Sequence, residues 1–203
     1  MISLGKLLDW WNPIRILGAS AFLLIVGISL SLSYRKRGPA FAKNALLRAL
    51  LLLILGGFIT IATLWFAPKS YVVFGILSLI GASVLLSIVA VHRPLLCLIG
   101  GILLIIEGMA LSLSPMLPSM LGWIGPSPFL QTTLDYYPLI PWMGIVFIGI
   151  YLGYRVYPSV DARQQRPAPR AMRPLNWCGR HALLIYMVHQ PVLFLGLRLL
   201  HLT

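Results

Sequence analysis

Acidic residues are what this sequence most lacks. Four Asp and Glu stand against sixteen Lys and Arg, a formal net charge of +12 at pH 7. Charged residues of both signs make up only 10% of the 203 positions, too few to coat a soluble domain of that size. The two cysteines, Cys97 and Cys178, form no CxxC and no zinc-ligand spacing. Both fall near helix ends expected on the reducing cytoplasmic side, which argues against a disulfide. The histidines are too far apart along the chain to share a metal ion, so no metal site is expected. There is no repeat at a solenoid period and no inverted pair of broken helices of the transporter kind. A cleavable signal is also missing. The first apolar run leads straight into Arg35, Lys36 and Arg37, the pattern of an anchor.

What is abundant is apolar. Hydrophobic residues reach 59% and the mean hydropathy is +0.91, and they come in long runs. Six runs have about the length that 30 Å of hydrocarbon requires: residues 16–34, 49–66, 71–91, 95–113, 139–154 and 182–200. They predict an all-α, polytopic membrane helix bundle of about six transmembrane helices, a single domain over 1–203 surrounded by membrane lipid. Gly75, Ser78 and Ala82 share one helix face, and Gly149 and Gly153 form a GxxxG; both read first as places where backbones pack closely.

The excess positive charge would suit nucleic acid, but the cations cluster between apolar runs and not along a face, so no nucleic-acid partner is expected. Arg35, Lys36, Arg37, Lys43 and Arg48 occupy the first loop, His92 and Arg93 the third, and Arg155, Arg163, Arg166, Arg170 and Arg173 the fifth, against Asp161. The second loop holds only Lys69, and the fourth holds Asp135 and no cation. By the positive-inside rule the odd loops are cytoplasmic and both termini of this chain lie outside, in the inner membrane if the source is bacterial. The fourth loop, with Trp123, Phe129, Tyr136 and Tyr137, forms either a lid or an ordinary interfacial aromatic belt.

Polar side chains inside such spans are costly and mark candidate sites. The densest group is GRHALLIYMVHQP, which sets Arg180, His181, Tyr186, His189, Gln190 and Pro191 in the last span. His189 lies about 12 Å along the helix from His181 and about 80° around it, too far for one metal but on neighbouring parts of one face. A neutral imidazole at His189 is suited to accept a proton, or to lock an interhelical hydrogen bond. Pro191 leaves the carbonyl of Met187 without its helical donor. Glu107, in the outer half of the fourth span, is expected to be protonated or paired, as structural glue or as a catalytic acid. Arg180 and His181 suit either phosphate binding or interface anchoring. Asp135 opens DYYPLIPW as a helix cap or as part of a polar substrate site.

LDYYPLIPWMGIVFIGIYLG (134–153) and GRHALLIYMVHQPVLF (179–194) resemble the heparan-alpha-glucosaminide N-acetyltransferase catalytic-domain family, within a wider superfamily of transmembrane acyltransferases. FLLIVGISLSLS (22–33) and FGILSLIGASVLL (74–86) are similar to its earlier helices. The resemblance implies transfer of an acetyl group from cytoplasmic acetyl-CoA to a sugar amine or similar acceptor across the membrane. It carries to Asp135, Pro138, Pro141 and Trp142, and to Gly179, Arg180, His181, Tyr186, His189, Gln190 and Pro191. Taking the resemblance together with the polar residues themselves, His189, Asp135 and Glu107 are the catalytic candidates, Arg180 and His181 face the CoA phosphates, and Tyr136, Trp142, Tyr186 and Gln190 line the acceptor site. Two departures stand out. This chain, starting at MISLGKLLDWW, is expected to lack the family's additional first helix with its Arg-Gly and histidine, and Ser78 stands where the family often has histidine. A transporter, a lipid- or saccharide-binding protein and a truncated inactive relative are the alternatives, and a homo-oligomer is left open.

Overall fold

The computed structural model describes residues 4–66, 71–113, 118, 121–127, 135–158 and 173–199, without the side chains of residues 4–12 and of several others, among them Cys178, Arg180, His189, Gln190 and Pro191. Lys69, Phe129, Asp161, Arg163, Arg166 and Arg170 lie outside the described residues.

The described elements are helices: α1 (Leu4–Arg37), α2 (Phe41–Phe66), α3 (Ile76–Ala90), α4 (Pro94–Leu113), α5 (Leu139–Val156), α6 (Arg173–Arg180) and α7 (Ala182–Leu199). Long apolar stretches with no water to bond must satisfy their own backbone, and the helix does this within one segment. Among the described residues three stretches are long and apolar enough to cross a membrane: Pro13–Trp65, Pro94–Ser112 and Leu139–Val156. The first is divided by a short 3-10 turn, Gly38–Ala40, where Gly38 takes φ of 53°, the left-handed region open to glycine.

Helix bounds differ from the apolar runs for local reasons. Helix α2 starts at Phe41, because Lys43, Asn44 and Arg48 continue the helix through the expected loop. Helix α3 starts at Ile76, because the chain before it is extended and Phe74 pairs with Tyr136 in a β-bridge. Inside α5, Ile140 keeps extended angles (φ −95°, ψ 126°), so the regular helix begins at Pro141. The eight-residue α6 has no counterpart among the six apolar runs.

By contact the chain divides into two compact units, 1–160 and 161–203. In the first, α5 packs against α1, α4 and α3, while α2 pairs with α3. Leu24 and Gly27 meet Gly149, and Ser31 meets Gly153, so α1 and α5 run parallel. Gly101 meets Gly144 and Gly108 meets Pro141, so α4 runs antiparallel to α5. Gly56 meets Ser78, and Leu53 meets Gly81, so α2 and α3 form an antiparallel hairpin. Glycine permits these approaches: a Cβ on Gly144 would sit 2.6 Å from the Gly101 carbonyl oxygen. The core comprises Leu23, Leu79, Val84, Val146 and Ile150, all essentially sealed. Outward faces carry Ile25, Ile54, Phe58, Ile61, Leu103 and Ile106, all exposed. Large apolar side chains covering the outside are what a lipid solvent calls for, the reverse of a soluble surface.

These directions gather the cations at one end. The Arg35 guanidinium donates to the carbonyls of Tyr157 and Pro158 and stands 5.4 Å from the Tyr154 ring centroid. The Tyr154 hydroxyl donates to the Val91 carbonyl at 3.0 Å. The end of α1, the α3–α4 turn with His92 and Arg93, and the end of α5 with Arg155 therefore meet. Cys97 is buried there as a free thiol, its Sγ 3.2 Å from the Ala90 carbonyl oxygen.

Candidate functional site

The opposite end of the first unit is organised by the stretch Asp135–Trp142. Helix α3 begins at Gly75, which has no side chain to cap it. Asp135 supplies the cap from across the bundle, its Oδ2 accepting the Ile76 N–H at 3.1 Å. Gly75 makes room for this, since a Cβ there would lie 2.5 Å from that oxygen. Of the two readings of Asp135 from sequence, a helix cap or part of a polar substrate site, the cap falls on α3 and not on α5, which has Pro138 at its N-cap with no side-chain bond. The reason is spatial. The free amides of α5 are met by a neighbouring turn, Leu139 N–H donating to Trp123 carbonyl at 2.9 Å and Ile140 N–H to Ile124 carbonyl at 2.7 Å.

Tyr136 anchors that turn. Its hydroxyl accepts the Ser127 N–H at 3.0 Å and donates its proton between the carbonyls of Gly122 (2.7 Å) and Gly125 (2.8 Å). The proton of this hydroxyl and one of its acceptor positions are thus committed within the protein. The Tyr137 N–H bonds the Phe74 carbonyl at 2.9 Å, and its ring meets Trp142 edge-on, centroids 4.9 Å apart. Trp123 packs beside Phe74 at 6.3 Å. Pro141 lies against Gly108 of α4. One octapeptide therefore ties α3, α4, α5 and the 121–127 turn together.

The site also has a charge from α1 that the sequence reading did not single out. Burial pushes the Asp135 carboxyl above the ordinary aspartate value, while the Ile76 N–H and the positive charge of Arg15 pull it partly back. Burial and the Asp135 charge raise Tyr137, and Arg15 again opposes them. Burial raises Tyr136, partly offset by the Ser127 N–H.

A family model described as heparan-alpha-glucosaminide N-acetyltransferase, catalytic, matches residues 2–191. The chain belongs to this family. No curated protein and no solved structure matches it. Membership makes the chain a membrane acetyltransferase-like protein and places the Asp135 cluster, the α6–α7 junction and His189 within the matched span.

The remaining sequence candidates of this family member divide between the two units. Glu107 sits in α4 one residue before Gly108, on the exposed side. The expected Arg or His partner is not found among the described residues. In the second unit Arg180 ends α6, and His181 stands in the turn before α7 instead of opening that helix. The carbonyl of Trp177 receives both the His181 N–H (3.1 Å) and its Nδ1 (2.9 Å), which makes Nδ1 the protonated ring nitrogen. The two rings lie 4.6 Å apart. Tyr186 is half-buried in α7, which continues through Pro191 to Leu199. The side chains of Arg180, His189 and Gln190 lie outside the described residues. Among the described residues no cluster of three metal-ligating side chains occurs.

Proposed function

We propose that this chain is a membrane acyltransferase that takes an acetyl group from acetyl-CoA at its basic, cytoplasmic end and delivers it to an amine of a saccharide or similar acceptor at the Asp135 end, outside. In this reading α1 to α5 and α7 are six spans, both termini of this chain are outside, and the membrane is the inner membrane if the source is bacterial. Family membership supports the reaction class, and the separation of the two ends supports the division of labour. The observation that carries it is the Asp135 cluster: a carboxyl whose Oδ2 accepts the Ile76 amide, beside the Tyr137–Trp142 ring pair.

The chemistry assigns roles as follows. Acylating an amine forms an N–C bond, breaks the thioester C–S bond and requires a proton to leave the nitrogen. His189 accepts that proton, or holds the acceptor by a hydrogen bond, and the thiolate leaves to be protonated. Asp135 attracts the acceptor amine, while Tyr136 shapes the mouth through the turn it anchors. Trp142, Tyr186 and Gln190 contact the acceptor. Arg180 and His181 meet the CoA phosphates, with the Arg180 guanidinium as the charged donor. Glu107 is the second acidic candidate.

The test is acetyl transfer in sealed vesicles carrying the purified chain, with labelled acetyl-CoA and an amino-sugar acceptor on opposite sides. Wild type labels the acceptor and His189→Ala does not. Equal labelling by the variant removes His189 from the chemistry. A wild type that transports the sugar without labelling it replaces the acyltransferase with a transporter.

A further inference from the structure

The segment before α5 has two unlike sides. It is extended where Tyr136 pairs with Phe74 in the β-bridge. In extended chain successive side chains point to opposite sides, so Asp135 and Tyr137 share one and Tyr136 takes the other. The side of Tyr136 is occupied, its hydroxyl bonded to the backbone of Gly122, Gly125 and Ser127. On the other side Asp135, Tyr137 and Trp142 are all only half-buried. Their positions are fixed by separate contacts. The Ile76 N–H holds Asp135 at Oδ2, 3.1 Å away, and the Phe74 carbonyl holds the Tyr137 backbone N–H at 2.9 Å. The chain then turns through the extended angles of Ile140, which brings Trp142 back against the Tyr137 ring. The two ring centroids lie 4.9 Å apart with planes at 72°, so the pair forms a rigid aromatic corner.

From this arrangement we infer that Tyr137, and not Tyr136, is the aromatic residue that binds the acceptor, and that the acceptor it fits is an amino-pyranose. A pyranose has apolar C–H faces, polar edges and, in an amino sugar, one cationic substituent. An aromatic wall beside a carboxyl matches all three: the Tyr137 ring lies against a C–H face, its phenol bonds a sugar oxygen, and Asp135 meets the ammonium. The phenol is suited to donate. Burial and the Asp135 charge raise it above the ordinary tyrosine value, against the pull of Arg15, so it keeps its proton. No hydrogen bond among the described residues acts on it, whereas the Ser127 N–H acts on that of Tyr136. The inference deepens the acyltransferase reading and rests on it for the fate of the amine, but the binding it describes is measurable without turnover.

The experiment is a ligand titration by saturation-transfer NMR on the full chain in nanodiscs, which leave both faces open to solute. Glucosamine carries the ring and the ammonium, glucose the ring alone and ethanolamine the ammonium alone. Wild type binds glucosamine about 10-fold more tightly than either of the others, because each of those lacks one anchor. That comparison needs no variant to fold. Tyr137→Phe keeps the ring and loses the hydroxyl, weakening glucosamine about 2- to 10-fold. Tyr137→Ala loses both and weakens it about 10- to 100-fold. Equal binding of the three solutes by wild type, no binding of glucosamine, or a glucosamine titration that neither variant moves overturns the inference. If glucosamine binds as stated while wild type transfers no acetyl group, the role of Tyr137 stands and the acyltransferase reading falls. If Tyr137→Ala transfers acetyl to glucosamine with the wild-type KM, the acyltransferase reading stands and the role of Tyr137 falls.

Discussion

Asp135 does for α3 what no residue of α3 does for itself. The two residues are 59 positions apart, so the contact has no local signature; the acidic residue before PLIPW was legible as polar and well placed, its partner was not. Asp135→Ala leaves the first turn of α3 uncapped and is expected to cost about 1 kcal/mol, whereas Asp135→Asn keeps an acceptor oxygen and loses less. Unfolding in mild detergent against a denaturant ramp separates the two. The pH dependence has a definite sign. Because the folded carboxyl is raised above its unfolded value, folding takes up a proton. The stability this contributes is fully present below the ordinary aspartate value and is lost as pH rises through the raised one. Asp135→Asn is expected to flatten that fall. Tyr136→Phe strips the 121–127 turn of its hub and strands the Ser127 N–H with two glycine carbonyls. A loss of about 1–3 kcal/mol is expected, with faster proteolysis in that turn. An aromatic before PLIPW reads equally as a substrate contact, and only the three bonds to its hydroxyl assign it a structural task.

Among elements, the apolar runs located the helices well because lipid-facing segments must be both helical and hydrophobic. They located the ends less well, since α2 continues helically through charged residues and the residues before α3 pair with Tyr136, neither of which hydropathy registers. The GxxxG motif was legible as packing, and the α1–α5 seam shows why: Gly149 admits the backbone of Leu24 and Gly27, and Gly153 the side chain of Ser31. Gly149→Ala places a Cβ into the Leu24 carbonyl and is expected to destabilise by about 1–3 kcal/mol through backbone displacement. Gly57→Ala in α2 meets nothing within 4 Å and is expected to be neutral or to stabilise by up to about 1 kcal/mol. Equal effects in thermal unfolding would remove close approach as the reason for Gly149. Arg15 escaped notice because a lone arginine near a helix start looks like interface anchoring.

At the level of the whole molecule, charge and packing bear on the same axis from independent grounds. The positive-inside rule counts cations in loops and takes no account of which helices touch. The packing directions follow from glycine contacts deep in the bundle and take no account of charge. Both put Arg35, His92, Arg93 and Arg155 at one end and the Asp135 cluster at the other. A single exposed cysteine at each end, with Cys97 and Cys178 replaced, reads out the orientation. Leu121 (41% exposed) and Tyr157 (48% exposed) are open enough to label without dismantling the core. In intact cells an impermeant maleimide is expected to label Leu121→Cys directly and Tyr157→Cys only after permeabilisation. Labelling of both from one side would mean that the two ends are not separated by the bilayer. The inverse pattern would keep the axis and reverse it, placing the basic end outside. A donor confined to the cytoplasm would then meet the Asp135 end first, and acceptor and donor would have to exchange sides.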